Sequence, residues 1–170
     1  MIRTLTQFAA VLLALLVASQ AQDAKRKQYV TQLAAPHISV AGAKTVPVEL
    51  RFAIDPEMHI NSNHPKTENL IATKLVLDLP TDISVLKTIY PAGKDFSFAF
   101  DPSEKLNVYT GEFPITLQVR PAHGASAGTF KVHGDLQYQA CNDRACFPPK
   151  KLPVEFEVTV LRPKPLPRRR

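Results

Sequence analysis

Two cysteines, Cys141 and Cys146, are all that this 170-residue chain has. That is too few for a disulfide-dense miniature scaffold, so a folded core must come from apolar packing. Beyond residue 21 there is no long hydrophobic run, which leaves no membrane-spanning stretch in the mature chain. None of the five asparagines begins an Asn-x-Ser/Thr acceptor, so nothing hints at N-glycosylation. No segment keeps up a helical period over any length, which argues against a helical fold. The formal charge of +6 is a matter of the ends. Arg162, Lys164, Arg168, Arg169 and Arg170 crowd the last nine residues, and residues 22–161 carry fifteen basic and fifteen acidic side chains. A neutral domain with a basic tail is not the footprint of a nucleic-acid binder. The tail, residues 162–170 ("RPKPLPRRR"), alternates proline with charge and reads as an extended, solvated end.

What is present begins with an export signal. Arg3 precedes the uncharged run "FAAVLLALLVAS", Phe8–Ser19, and "SQA" places small residues where a signal peptidase reads them. The run is short for a membrane span and ends in a cleavage site after Ala21. No cysteine follows it, so a lipid anchor at this point is not expected. About 149 residues remain, enough for one domain with a sizeable core. The expected organisation is a signal peptide over 1–21, a linker over 22–28 ("QDAKRKQ"), a single domain over 29–161 and the tail.

Within the domain, apolar residues recur at every second position. "VPVELRFAI" sets Val46, Val48, Leu50, Phe52 and Ile54 on one face, and "FPITLQV" does so with Phe113, Ile115, Leu117 and Val119. Phe130, Val132, Leu136 and Tyr138 form another row, Val154, Phe156, Val158 and Val160 a fourth, and Leu75, Leu77 and Leu79 a fifth. Such alternation marks strands with one buried and one wet face, the signature of antiparallel sheets. Turn clusters separate them: "IDPE", "LPTD", "PAGKD", "FDPSEK" and "PAHGASAG". Many half-buried strands, fifteen prolines and no helix predict an all-β, immunoglobulin-like antiparallel β-sandwich.

The cysteines lie in "YQACNDRACFPP", between a strand ending at Ala140 and one beginning near Leu152. Pro148 and Pro149 have no amide to donate, which holds this connection at an edge or tip of the sandwich. Three readings stand open. A structural bridge is usual in an exported protein, but closing about six residues contributes only about 2 kcal/mol. A redox pair uses close spacing, because one sulfur attacks and its neighbour resolves. A metal site would need partners from His37, His59, His64, His123 and His133, none at a fixed offset from the cysteines, and Cys-x4-Cys is longer than a zinc knuckle. The corresponding functions are a redox carrier, a non-enzymatic binding module braced by its disulfide, and a metal-handling protein.

Taken together, "YQACNDRACFPP", "MHINSNHP" (58–65), Tyr90–Pro91 and "LNVYTGEFPITL" resemble the N-terminal periplasmic domain of the thiol:disulfide interchange protein DsbD over most of residues 30–161. The resemblance implies an immunoglobulin-like fold and a periplasmic thiol–disulfide oxidoreductase component with no cofactor beyond its own disulfide. It implies that Cys146 forms the mixed disulfide with a partner and Cys141 resolves it. It places His59, Asn61 and Tyr138 as support near the site. It also places Asp95 and Phe96 on a cap over the sulfurs, with Phe98 and Phe100 as rivals. Arg144 could favour a thiolate. The implied partners are a thioredoxin-like domain or membrane electron-transfer protein on one side, and oxidised periplasmic proteins such as disulfide isomerases on the other. Two departures are visible: the spacer between the cysteines is four residues where other members have five, and that family's membrane conduit and thioredoxin-like domain have no counterpart in these 170 residues. The expectation is therefore a free-standing domain that either borrows a separate membrane partner or does something else.

Overall fold

In the computed structural model, which describes residues 27–66, 70–98 and 101–162, every regular element is a strand. In chain order they are β1 (Val30–Gln32), β2 (His37–Ala41), β3 (Val46–Ile54), β4 (His59–Asn61), β5 (Lys74–Asp78), β6 (Ile83–Ile89), β7 (Lys94–Phe98), β8 (Asp101–Thr110), β9 (Glu112–Pro121), β10 (Gly128–Tyr138), β11 (Ala140–Cys141) and β12 (Lys150–Leu161). The expected leader, most of the linker and residues 163–170 of the tail lie outside the described residues. Lys27 and Gln28, counted above with the linker, are already engaged with the domain: Gln28 donates to the carbonyl of Lys151 at 3.2 Å.

The rows of alternate apolar residues close into a β-sandwich of immunoglobulin-like class. One sheet has the order β1-β3-β9-β6 and the other β2-β12-β10-β5. All pairings are antiparallel except β2 with β12, which run parallel. Leu50 and Phe52 of β3, Ile115, Leu117 and Val119 of β9, Val132 and Leu136 of β10, and Phe156 and Val158 of β12 are sealed from solvent in one core. Register brings Phe52 opposite Phe113, their rings stacked at 5.4 Å. At about 1.5–3 kcal/mol for each large apolar side chain buried, this core outweighs what any single short loop closure contributes. The alternation overreached at the ends of rows. Leu79 is exposed because β5 stops at Asp78, and Phe130 is only half-buried near the open end of β10.

A third sheet, β11-β4-β8-β7, carries the cysteines. Its strands continue those of the sandwich after a bend: β3 leads into β4, β8 into β9, and β10 into β11. The first two of these bends hold residues in the left-handed region, Glu57 at φ 64° and Gly111 at φ 62°. Glycine adopts that region without a side-chain penalty. The Ile54 amide donates to the Gly111 carbonyl at 2.9 Å, so two corners turn together. "FDPSEK", expected as a turn, is instead the start of β8 from Asp101, paired with β7 across Phe98. Similarly Lys94 and Asp95 of "PAGKD" belong to β7. The small sheet thus projects from one end of the sandwich, with the cysteine strand at its edge.

Candidate redox site

The cysteine segment folds back on itself as a tight hairpin. The Asn142 amide donates to the Ala145 carbonyl at 3.0 Å, and the Phe147 amide donates to that of Ala140 at 2.8 Å. Asn142 also shapes the turn with its side chain: Oδ1 accepts from the amides of Arg144 and Ala145, both at 2.9 Å. Short polar side chains favour such turns because they satisfy the backbone locally. Cys141 and Cys146 face each other across the hairpin, Cα atoms 4.0 Å apart, and are joined by a disulfide. The two differ sharply in access: Cys141 is 0 % exposed, whereas Cys146 is open to solvent.

Cys141 owes its burial to the small sheet. It pairs with His59 of β4, as Ala140 pairs with Ile60. Beneath it lies a cluster of Leu106 and Val108 from β8, with Leu70 and Phe96 packed against them. Phe96 sits on β7 opposite Leu106, and its ring meets the His59 ring at 4.7 Å and 36°. His59 is 4 % exposed, and burial holds its pKa below the usual histidine value, so the imidazole is uncharged at neutral pH. Asp95, beside Phe96, accepts from Lys66 Nζ at 2.7 Å and from Asn107 Nδ2 at 3.3 Å. The Lys66 hydrogen bond first, and the Asn107 bond second, hold its carboxyl below the ordinary value. Asp95 therefore pins β7 to the segment after β4 rather than facing the sulfurs.

Polar side chains fix the other flank. Asn61 is fully buried and donates from Nδ2 to the Ile71 carbonyl at 3.0 Å and to Gln139 Oε1 at 3.1 Å. Gln139 Oε1 also accepts from the Ile71 amide at 3.3 Å, while its Nε2 donates to the Phe147 carbonyl at 3.3 Å. The Phe147 ring lies 4.9 Å from that of Tyr29, over which Lys27 and Lys150 each place an ammonium at 5.4 Å. Arg144 pairs loosely with its neighbour Asp143 at 3.8 Å, both strongly exposed, a contact of little energetic weight. A cleft of about 510 Å³ opens beside the hairpin, lined in part by Met58, His59, Phe96, Thr110 and Asp143.

Of the residues singled out from the sequence, the fold gathers Cys141, Cys146, His59, Asn61 and Phe96, with Asp95 behind Phe96. Tyr138 is set apart. It is sealed in the sandwich core, burial raises the pKa of its phenol, and its hydroxyl donates to Gln28 Oε1 at 2.6 Å and accepts from the Tyr29 amide at 3.1 Å. Its hydroxyl faces Gln28 and the Tyr29 amide rather than the sulfurs, and Tyr29 in turn packs on Phe147. The Phe98 side chain and all of Phe100 lie outside the described residues. Gln139, Asn142 and the Tyr29–Phe147 pair were not picked out beforehand. Asn-Asp after a strand is a turn signal that could have found Asn142; Gln139 and Phe147 lie inside the quoted "YQACNDRACFPP" without a role read for them, and no local pattern marks Tyr29.

A family model described as "Thiol:disulfide interchange protein DsbD, N-terminal" matches residues 26–157. Among solved structures, the Neisseria meningitidis DsbD N-terminal domain in the reduced form is 19% identical, with 65% of this chain and 74% of that chain covered and a TM-score of 0.39. The N-terminal periplasmic domain of ScsB from Proteus mirabilis is 18% identical, with 75% and 44% covered and a TM-score of 0.47. No curated protein matches.

Proposed function

Since the chain belongs to the DsbD N-terminal domain family, we propose that it is a periplasmic thiol–disulfide exchange domain that shuttles reducing equivalents through Cys141 and Cys146. A thioredoxin-like partner's thiolate attacks the Cys146 sulfur. The Cys141–Cys146 bond breaks, its electron pair leaves with Cys141, and a Cys146–partner disulfide forms. The partner's second thiolate then attacks its own sulfur in that bond and releases Cys146. Two protons taken up complete the dithiol, and the partner departs as a disulfide. Run in reverse, the dithiol reduces oxidised exported proteins such as disulfide isomerases. The partners and the direction of flow belong to this proposal.

The observation that carries it is the unequal access of the two sulfurs, one sealed and one open. Attack on the open sulfur leaves the buried one as the internal nucleophile, shielded from every other oxidant or thiol. In this reading His59, neutral and opposite Cys141 in the β4–β11 ladder, exchanges the proton; that register and its neutrality support the role. Phe96 covers the cluster in which Cys141 lies and serves as the cap. A brace would return little here, since the loop closed is worth about 2 kcal/mol against a complete apolar core.

Mixing the oxidised protein with a reduced thioredoxin tests the reading. Stoichiometric reduction of the Cys141–Cys146 bond within minutes is expected, read by thiol alkylation and mass. A bond still closed after hours with excess reduced thioredoxin would leave the disulfide as a brace.

A further inference from the structure

We propose that Gln139 is a positioning residue for the thiol–disulfide step: it holds the returning arm of the hairpin, which carries Cys146, against the strand that carries Cys141. This rests on the exchange reading above for its biological meaning. Gln139 precedes β11, and its side chain grips three separate pieces of chain. Its carbonyl oxygen takes the Asn61 amide group of β4 and the main-chain amide of Ile71, and its own amide donates to the carbonyl of Phe147, the residue after Cys146. The Phe147 peptide is thereby held on both sides, by Gln139 at its carbonyl and by Ala140 at its amide. The turn's other hydrogen bonds among the described residues run within the hairpin, while its first arm, β11, is held by its ladder to β4. Among the described residues, the Gln139 side chain makes the hydrogen bond that ties the returning arm to the buried Asn61.

Such a tie matters most once the sulfurs part. In the disulfide form the covalent bond already fixes the arm. In the dithiol form only non-covalent contacts keep Cys146 within reach of Cys141. Restricting the dithiol raises the effective concentration of one thiol at the other and favours the disulfide. Without Gln139 the reduced arm gains freedom, so the dithiol becomes easier to form. One hydrogen bond of ordinary net strength corresponds to a shift of roughly fivefold.

The test is equilibration of wild type, Gln139→Ala and Gln139→Glu in glutathione buffers. Two glutathione thiols become one glutathione disulfide as the Cys141–Cys146 bond takes up two electrons and two protons. Both variants are expected to move the equilibrium roughly fivefold toward the dithiol, which is about 20 mV for a two-electron couple. Glutamate still accepts from Asn61 and Ile71 but cannot donate to Phe147 when ionised. Its oxidised form should therefore lose less stability in urea than that of Gln139→Ala, while its redox equilibrium shifts as far. A merely structural role predicts the opposite: Gln139→Ala would lose stability while its glutathione equilibrium stayed within twofold of wild type. That result, or a wild-type equilibrium in Gln139→Glu, overturns the proposal, and the glutamate variant decides alone if the alanine one does not fold. A shift in glutathione in a protein that never exchanges with a thioredoxin would remove the function and keep the role of Gln139.

Discussion

Cys141→Ser is expected to accumulate a covalent complex, linked through Cys146, with a thioredoxin whose second cysteine is also serine and whose first carries an activating nitrothiobenzoate disulfide, the Cys146 thiolate displacing the aryl thiolate, whereas Cys146→Ser accumulates none. The physical reason is access. A thiolate must approach the sulfur it attacks along the axis of the bond being broken, and a side chain that is 0 % exposed offers no such path. Cys146 projects at the returning arm of the hairpin, with Arg144 and Ala145 exposed before it. Once the mixed disulfide forms in wild type, the Cys141 sulfur stands next to it at an effective concentration in the millimolar range or above. With Cys141 and the partner's second cysteine both replaced, only a free thiol at micromolar concentration can release the complex, roughly a thousandfold more slowly, so it should persist through non-reducing electrophoresis. Trapping through Cys141 in the Cys146→Ser protein would reverse the roles of the two residues.

Phe96→Ala is expected to raise about tenfold the rate at which the buried Cys141 thiol, in the reduced Cys146→Ser protein, reacts with peroxide or a small alkylating agent, while leaving the fold intact. The ring belongs to β7, an edge strand held by β8 and by the Lys66–Asp95 contact, and it covers the cluster that contains Cys141. Its contact with His59 and the cluster is worth about 1–1.5 kcal/mol, and losing that multiplies the uncovered population by roughly ten. The sandwich core is elsewhere, so the thermal midpoint should move by only a few degrees. Stopped-flow kinetics of the reduced Cys146→Ser protein with and without Phe96→Ala give the ratio. Equal rates would take Phe96 out of any shielding role.

The sandwich was legible because its rows are long. β3, β9, β10 and β12 each present several alternate apolar residues, and burial on one face leaves no other register open. The small sheet was not. β4 and β11 have three and two residues, too few to show a period, and all three residues of β4 are buried, His59 and Asn61 included. β4 lies between β11 and β8, so its polar side chains are enclosed by tertiary pairing that "MHIN" does not encode. The proline and acid of "FDPSEK" signal a turn locally, yet pairing with β7 draws them into a strand. At the site, the cysteines and Phe96 could be found because a resemblance marks them. Gln139 lies in the same motif as the cysteines, but its role was not legible there, since that depends on which carbonyl of a folded hairpin comes within 3.3 Å of its amide.

The reduction potential of the Cys141–Cys146 pair, from equilibrium with glutathione, bears most directly on whether these sulfurs trade electrons or brace a turn. A value above about −300 mV, within reach of thioredoxin-like donors near −270 mV, is the result expected of a carrier. A pair that stays oxidised well below −300 mV would be a fixed bridge, and the exchange function would fall with it.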